Sequence, residues 1–175
     1  IENILEIGPG VNPHLRFVRQ KFQKYFFAET FDYAADYLTN KFADNECVEV
    51  DKYDGFSLNY ESSSFDRVII CHTLEHIPNP EKMLFEMDRV LKSGGILSIS
   101  LPCDPGLLWR AGRCLTTARA AKKKLGFTKT EYYYVMSKEH INSINNLVAL
   151  LSYHYSEKLR EYYLPFYIKS YDINL

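Results

Sequence analysis

The chain has 175 residues, enough for one domain with a real hydrophobic core. Its 21 Lys plus Arg nearly cancel its 22 Asp plus Glu, so bulk charge predicts no nucleic-acid partner. Cys47, Cys71, Cys103 and Cys114 form neither a disulfide frame nor a metal site, and no apolar run is long enough to cross a bilayer, so a cytoplasmic protein is expected.

Ile4-Leu5-Glu6-Ile7 reads as a short buried strand that breaks on Gly8 and Gly10. Asn12-Pro13 then opens a helix, because Asn caps an orphan amide and Pro suits the first turn. A strand, a glycine turn and a helix start present backbone amides to a ligand at the carboxyl end of the strand. The dinucleotide fingerprint G-x-G-x-x-G is incomplete here, since Pro13 stands where the third glycine falls. An NAD-dependent oxidoreductase is therefore the weaker alternative.

The first helix is expected from about Pro13, with Leu15, Val18, Phe22 and Phe26 at near-helical spacing. Tyr25 to Ala28 reads as the second strand and Glu29 ends it. An acidic residue roughly twenty positions beyond the glycine turn is where nucleotide-binding α/β folds hold a ribose, because a carboxylate accepts from both hydroxyls. Phe31, Ala34, Ala35, Leu38 and Phe42 predict a second helix, and Cys47 to Val50 a third strand, followed by Asp51 and Asp54-Gly55.

Val68 to Cys71 is a continuous apolar run, as a central parallel strand buried on both faces requires. Asn79-Pro80 starts the next helix, with Met83, Leu84, Met87, Val90 and Leu91 on one face and Gly94-Gly95 as its stop. Ile96 to Pro102 follows as a strand. His72-Thr73-Leu74-Glu75-His76 spells the H-x-x-E-H of some zinc proteases, which must sit on a helix. Here it leaves a buried strand and meets Pro78 at once, so no metal is predicted.

Beyond Pro102, Leu107, Leu108, Trp109, Arg110, Arg113 and Leu115 predict a short amphipathic helix. Residues 105–130 hold seven basic side chains and no acidic one. This suits an anionic group or peripheral contact with a lipid surface, with a solvated basic helix as the plain alternative. Ser137 reads as the cap of a helix carrying Ile141, Ile144, Leu147, Val148 and Leu151, which puts His140 near its N-terminus. A histidine near neutral pKa is a candidate general base for a hydroxyl acceptor. Residues 158–168 and 171–175 read as further strands.

Five stretches carry a family resemblance together: Leu5 to Gly10, Ser64-Phe65-Asp66, Leu74-Glu75-His76, Asn79-Pro80 and Arg89 to Gly95. In this order, over residues 4–102, they resemble the motifs of class I S-adenosylmethionine-dependent methyltransferases, in the group acting on small molecules and lipids. The resemblance implies an α/β, Rossmann-like three-layer sandwich with a mostly parallel seven-stranded sheet and an antiparallel last strand. Because the sequence starts almost on its first strand, the fold is expected to be cut short at both ends. A single domain over 1–175 is expected, with residues 103–136 inserted as a substrate cover.

The same resemblance implies S-adenosyl-L-methionine as cofactor and S-adenosyl-L-homocysteine as product. Gly8, Pro9 and Gly10 would approach its methionine and ribose, Glu6 its amino group and Glu29 the ribose. Asp54 with Gly55 would meet the adenine, and Cys71 and His72 would line the wall near the methyl group. Trp109, Arg110 and Arg113 are the candidates for binding a small-molecule, glycan or lipid acceptor, and His140 for catalysis. A cofactor-binding module without turnover is the alternative that the sequence leaves open.

Overall fold

The computed structural model describes residues 1–104, 106–156 and 158–163, with the backbone alone at 107–109. Five strands, β1 (Asn3–Ile7), β2 (Lys24–Glu29), β3 (Val48–Lys52), β4 (Phe65–Cys71) and β5 (Leu91–Ser100), form one sheet in the order β3-β2-β1-β4-β5, every pair parallel. Ile7 lies opposite Ala28 on one side and Ile70 on the other. The chain thus builds outward from β1 to β3, then reverses to place β4 on β1's other side. That reversal opens a crevice at the carboxyl ends of β1 and β4.

Burial explains the strand sequences. Ile4, Leu5, Ile7, Tyr25, Phe27, Val68 and Ile70 are fully buried, which accounts for the unbroken apolar run of β4. Helix α1 (Asp32–Lys41) buries Ala34, Ala35 and Leu38, while Phe31 at its start is exposed. Helix α2 (Pro80–Val90) buries Met83, Leu84, Met87 and Val90, each worth about 1.5–3 kcal/mol if fully transferred from water. Asn79 caps it as expected, its Oδ1 accepting from Lys82 N at 3.0 Å.

The first expected helix does not form. Only a 3-10 turn at His14–Phe17 occupies that stretch, and Val18 is already extended. The cause is length. Residues 14–23 must return along a five-residue strand of about 17 Å, and ten residues of α-helix rise only about 15 Å with none left for turns. The α2 stop also differs from Gly94-Gly95. Its last carbonyls, on Arg89 and Val90, accept from Ser63 N and Ser64 N, and Leu91 pairs with Phe65, so β5 begins five residues before the expected Ile96.

The described residues fall into two compact units: 1–73 with 79–100, and 74–78 with the chain from 101 onward. The second unit carries α3 (Leu107–Leu115), α4 (Thr117–Leu125), α5 (Lys129–Glu139) and α6 (Ile144–Tyr155). Ser137 does not cap a helix; it lies inside α5 with its hydroxyl donating to Tyr134 O. The real caps are Thr128, in a capping box with Glu131, and Ser143, which accepts from Asn146 N. His140 ends α5 rather than starting α6. Residues 158–163 form no strand, and the remaining expected strand positions, from 164 on, lie outside the described residues. The sheet therefore shows five of the seven expected strands among the described residues.

Candidate active site

The glycine turn after β1 is held from both sides. Glu6, 1% exposed, accepts from His14 N at 3.0 and 3.1 Å and from Tyr25 OH at 2.7 Å, and His14 Nδ1 lies 2.8 Å from its Oε1. Burial, and then the Glu6 charge, push the Tyr25 phenol far up, so it stays a donor. Glu6 is thus engaged by this chain and fixes the two ends of the turn. Gly8 takes φ +62° and donates to Ala28 O at 2.8 Å, while its carbonyl accepts from Thr73 Oγ1 at 3.1 Å. A Cβ on Gly8 would lie 2.5 Å from Thr73 Cγ2, so only glycine fits.

Gly10 differs. It also has a positive φ, +55°, but a Cβ there would meet nothing within 4 Å. Its amide donates to Glu29 Oε2 at 2.9 Å, and Glu29 Oε1 accepts from Thr30 N at 2.8 Å and Phe31 N at 3.1 Å. Glu29 is 2% exposed, a buried carboxylate held by backbone amides at the end of β2. Open space over a left-handed glycine, beside such a carboxylate, is what a ligand bearing a diol needs.

The remaining expected residues gather at neighbouring strand ends. Tyr53 N donates to Glu29 O at 3.1 Å, which sets Asp54 and Gly55 just past β3. Asp54 Oδ1 accepts from Phe56 N and Ser57 N, both at 2.8 Å. Those amides, Ser57's first, hold its carboxyl below the usual range. Asp51 instead accepts from Tyr60 OH at 2.8 Å. Cys71 ends β4, and His72 takes φ +52°, a conformation that non-glycine residues seldom adopt, with its amide donating to Ser100 O. Glu6, Gly8, Pro9, Gly10, Glu29, Asp54, Gly55, Cys71 and His72 therefore lie at or beside the carboxyl ends of four adjacent strands. The H-x-x-E-H stretch is no helix, because only Leu74–His76 make a 3-10 turn.

The second unit has its own polar cluster. Asp104 Oδ2 accepts from Arg113 Nη1 at 2.7 Å and lies 2.9 Å from His140 Nδ1. The second approach is off the direction of a hydrogen bond, so it is an electrostatic contact. The His140 ring meets the His76 ring edge-on, with centroids 4.8 Å apart, and His76 Nδ1 sits 2.8 Å from Glu139 O. Burial above all, then His76 and Arg113, lower the pKa of His140, against the pull of Asp104 and Glu139. Arg110 is exposed, as are Arg119, Lys122, Lys123, Lys124 and Lys129, whereas Arg113 is half-buried. The Trp109 side chain lies outside the described residues.

The sequence profile of a family described as a methyltransferase domain matches residues 5–99. The chain belongs to that family. Methyltransferase GfsG of Streptomyces halstedii is 38% identical over 53 residues, which span 30% of this chain and 19% of that protein. The YcgJ protein of Bacillus subtilis superposes with a TM-score of 0.61 at 18% identity, covering 87% of this chain and 61% of that one. An S-adenosylmethionine-dependent methyltransferase of Aquifex aeolicus gives 0.52 at 22%, covering 58% and 57%. These two structures establish the class I fold. The matches span less than two thirds of each of these relatives.

Three residues escaped sequence reasoning. Thr73 bonds the β4 loop to the glycine turn, and His14 closes over Glu6. Asp104 holds Arg113 and faces His140. Asp104 did leave a signal. It directly precedes a stretch with seven cations and no acid, so a partner for one of them was to be sought there.

Proposed function

We propose that the chain transfers the methyl group of S-adenosylmethionine to a small-molecule, sugar or lipid-linked acceptor, in the cytoplasm. The observation that carries this reading is the open space over Gly10 beside the buried Glu29 carboxylate, at the switch point of the sheet. Glu29 would hold the ribose by accepting from a hydroxyl on Oε2, where a lone pair is left beside the Gly10 amide. Asp54, with Gly55, would meet the adenine edge. Cys71 and His72 would form the wall by the methyl group. Glu6 is a positioning residue, since His14 and Tyr25 enclose it.

When bound, the cofactor supplies a methyl group already activated on a sulfonium. The protein's share is then alignment, which can account for roughly 7–11 kcal/mol. A hydroxyl acceptor must also lose a proton. His140, kept toward its neutral form by burial, would take the acceptor's proton on its imidazole. In this reading residues 1–175 act as one methyltransferase domain, and residues 103–136 select the acceptor.

Calorimetric titration with S-adenosylhomocysteine tests the proposal, with NAD as the control. Micromolar binding, none of NAD, and a loss of at least about tenfold in Glu29→Ala are the expected results. NAD binding in place of S-adenosylhomocysteine would overturn it. The cyclase SpnF, 25% identical with a TM-score of 0.51 over 55% of this chain and 37% of its own, gives a second reading its footing: this fold also serves a protein described as a cyclase. Cofactor binding with no methylated product from any acceptor would favour that reading.

A further inference from the structure

The second unit contains a cavity of about 430 Å³ lined by residues of α3, α4 and α5, within the size range of small-molecule sites. Its lining is mostly apolar, with Met136 and the Tyr132 ring among its walls. One polar corner is already complete, because the Thr117 and Tyr132 hydroxyls bond each other at 2.6 Å. Arg113 and His140 also line it, the Arg113 guanidinium held by Asp104.

Charge narrows what can enter. Asp104 already balances the Arg113 guanidinium through the 2.7 Å contact, so a second anion would face the Asp104 carboxylate. The neutral imidazole adds no positive charge to offset that repulsion. An uncharged hydroxyl meets neither obstacle. Its lone pairs can accept from Arg113, and its O–H can donate to the imidazole.

We propose that this cavity takes an uncharged, largely apolar molecule bearing a hydroxyl or phenol, with Arg113 and His140 on that oxygen.

Naphthol, naphthoate and naphthalene share one ring body and differ in carrying a hydroxyl, a carboxylate or no polar group. Titrated into the full chain at neutral pH, naphthol should bind about tenfold more tightly than either of the others. Arg113→Lys and His140→Gln should each remove most of that preference while leaving naphthalene affinity unchanged. A merely structural disturbance would weaken both ligands together. Met136→Trp, which fills the cavity, should abolish binding of both.

Naphthoate binding as tightly as naphthol, or naphthol binding indifferent to Met136→Trp, overturns the proposal. Absence of naphthol binding in a sample that binds S-adenosylhomocysteine also overturns it.

Discussion

The glycine-turn unit and the helical unit place their charged groups in opposite ways. In the first, the buried carboxylates Glu6 and Glu29 are matched by donors from the chain itself, mostly backbone amides and one tyrosine hydroxyl. In the second, Asp104 serves Arg113 and faces His140. A carboxylate held by amides is rigid and general, suited to a ligand common to many relatives. The second cluster is held by ion pairing instead, beside an apolar cavity.

The sharpest way to break this contrast lies inside the turn. Gly8→Ala combines a left-handed backbone with overlap on Thr73, and should cost roughly 2–5 kcal/mol in urea unfolding. Gly10→Ala has the same backbone strain but open space, and should cost only about 1–2 kcal/mol. Its main effect should be on S-adenosylhomocysteine affinity. Equal losses of stability at the two positions would remove the distinction between a packing glycine and a binding glycine.

In the helical unit, Asp104→Asn strips the charge from Arg113, whose side chain is 12% exposed, and should cost roughly 2–4 kcal/mol in the same assay. Full stability in that variant would show that the cluster contributes nothing to folding.

The smallest effect concerns pH. The groups around His140 are His76, Asp104, Arg113 and Glu139. Its folded pKa lies below the unfolded value near 6.5, so its contribution to stability is complete above that value and is lost as pH falls through the folded pKa. Buried Glu75 works in the opposite direction, because burial raises its pKa and acid favours its folded form. The informative quantity is therefore a difference. The native chain should lose stability relative to His140→Gln as pH falls from 7 toward 5. A constant difference would mean that His140 titrates as it does in the unfolded chain.

Much of the first unit was legible because its signals are local. A glycine that must adopt positive φ, an apolar run between two sheet faces and an Asn-Pro helix start each announce themselves within a few residues. The missing first helix was not legible from spacing. Leu15, Val18 and Phe22 do pack against the core as helical spacing suggests, but the length of the return to β2 overrode the periodicity. His140 was legible as a residue of interest and not by its place. Ser137 looked like the cap, and only the completed α5, ending at His140, moves that role to Ser143. Asp104 and His140 are 36 positions apart, and no local pattern reports such a pair.

The Glu6 anchor carries a consequence for how a ligand arrives. A turn pinned from behind, by a strand tyrosine and by the residue that closes the turn, has little freedom left to surrender on binding. Encounter with the crevice should then resemble docking into a rigid mould. Association should be fast and weakly temperature-dependent, and differences in affinity between ligands should appear chiefly in how slowly they leave.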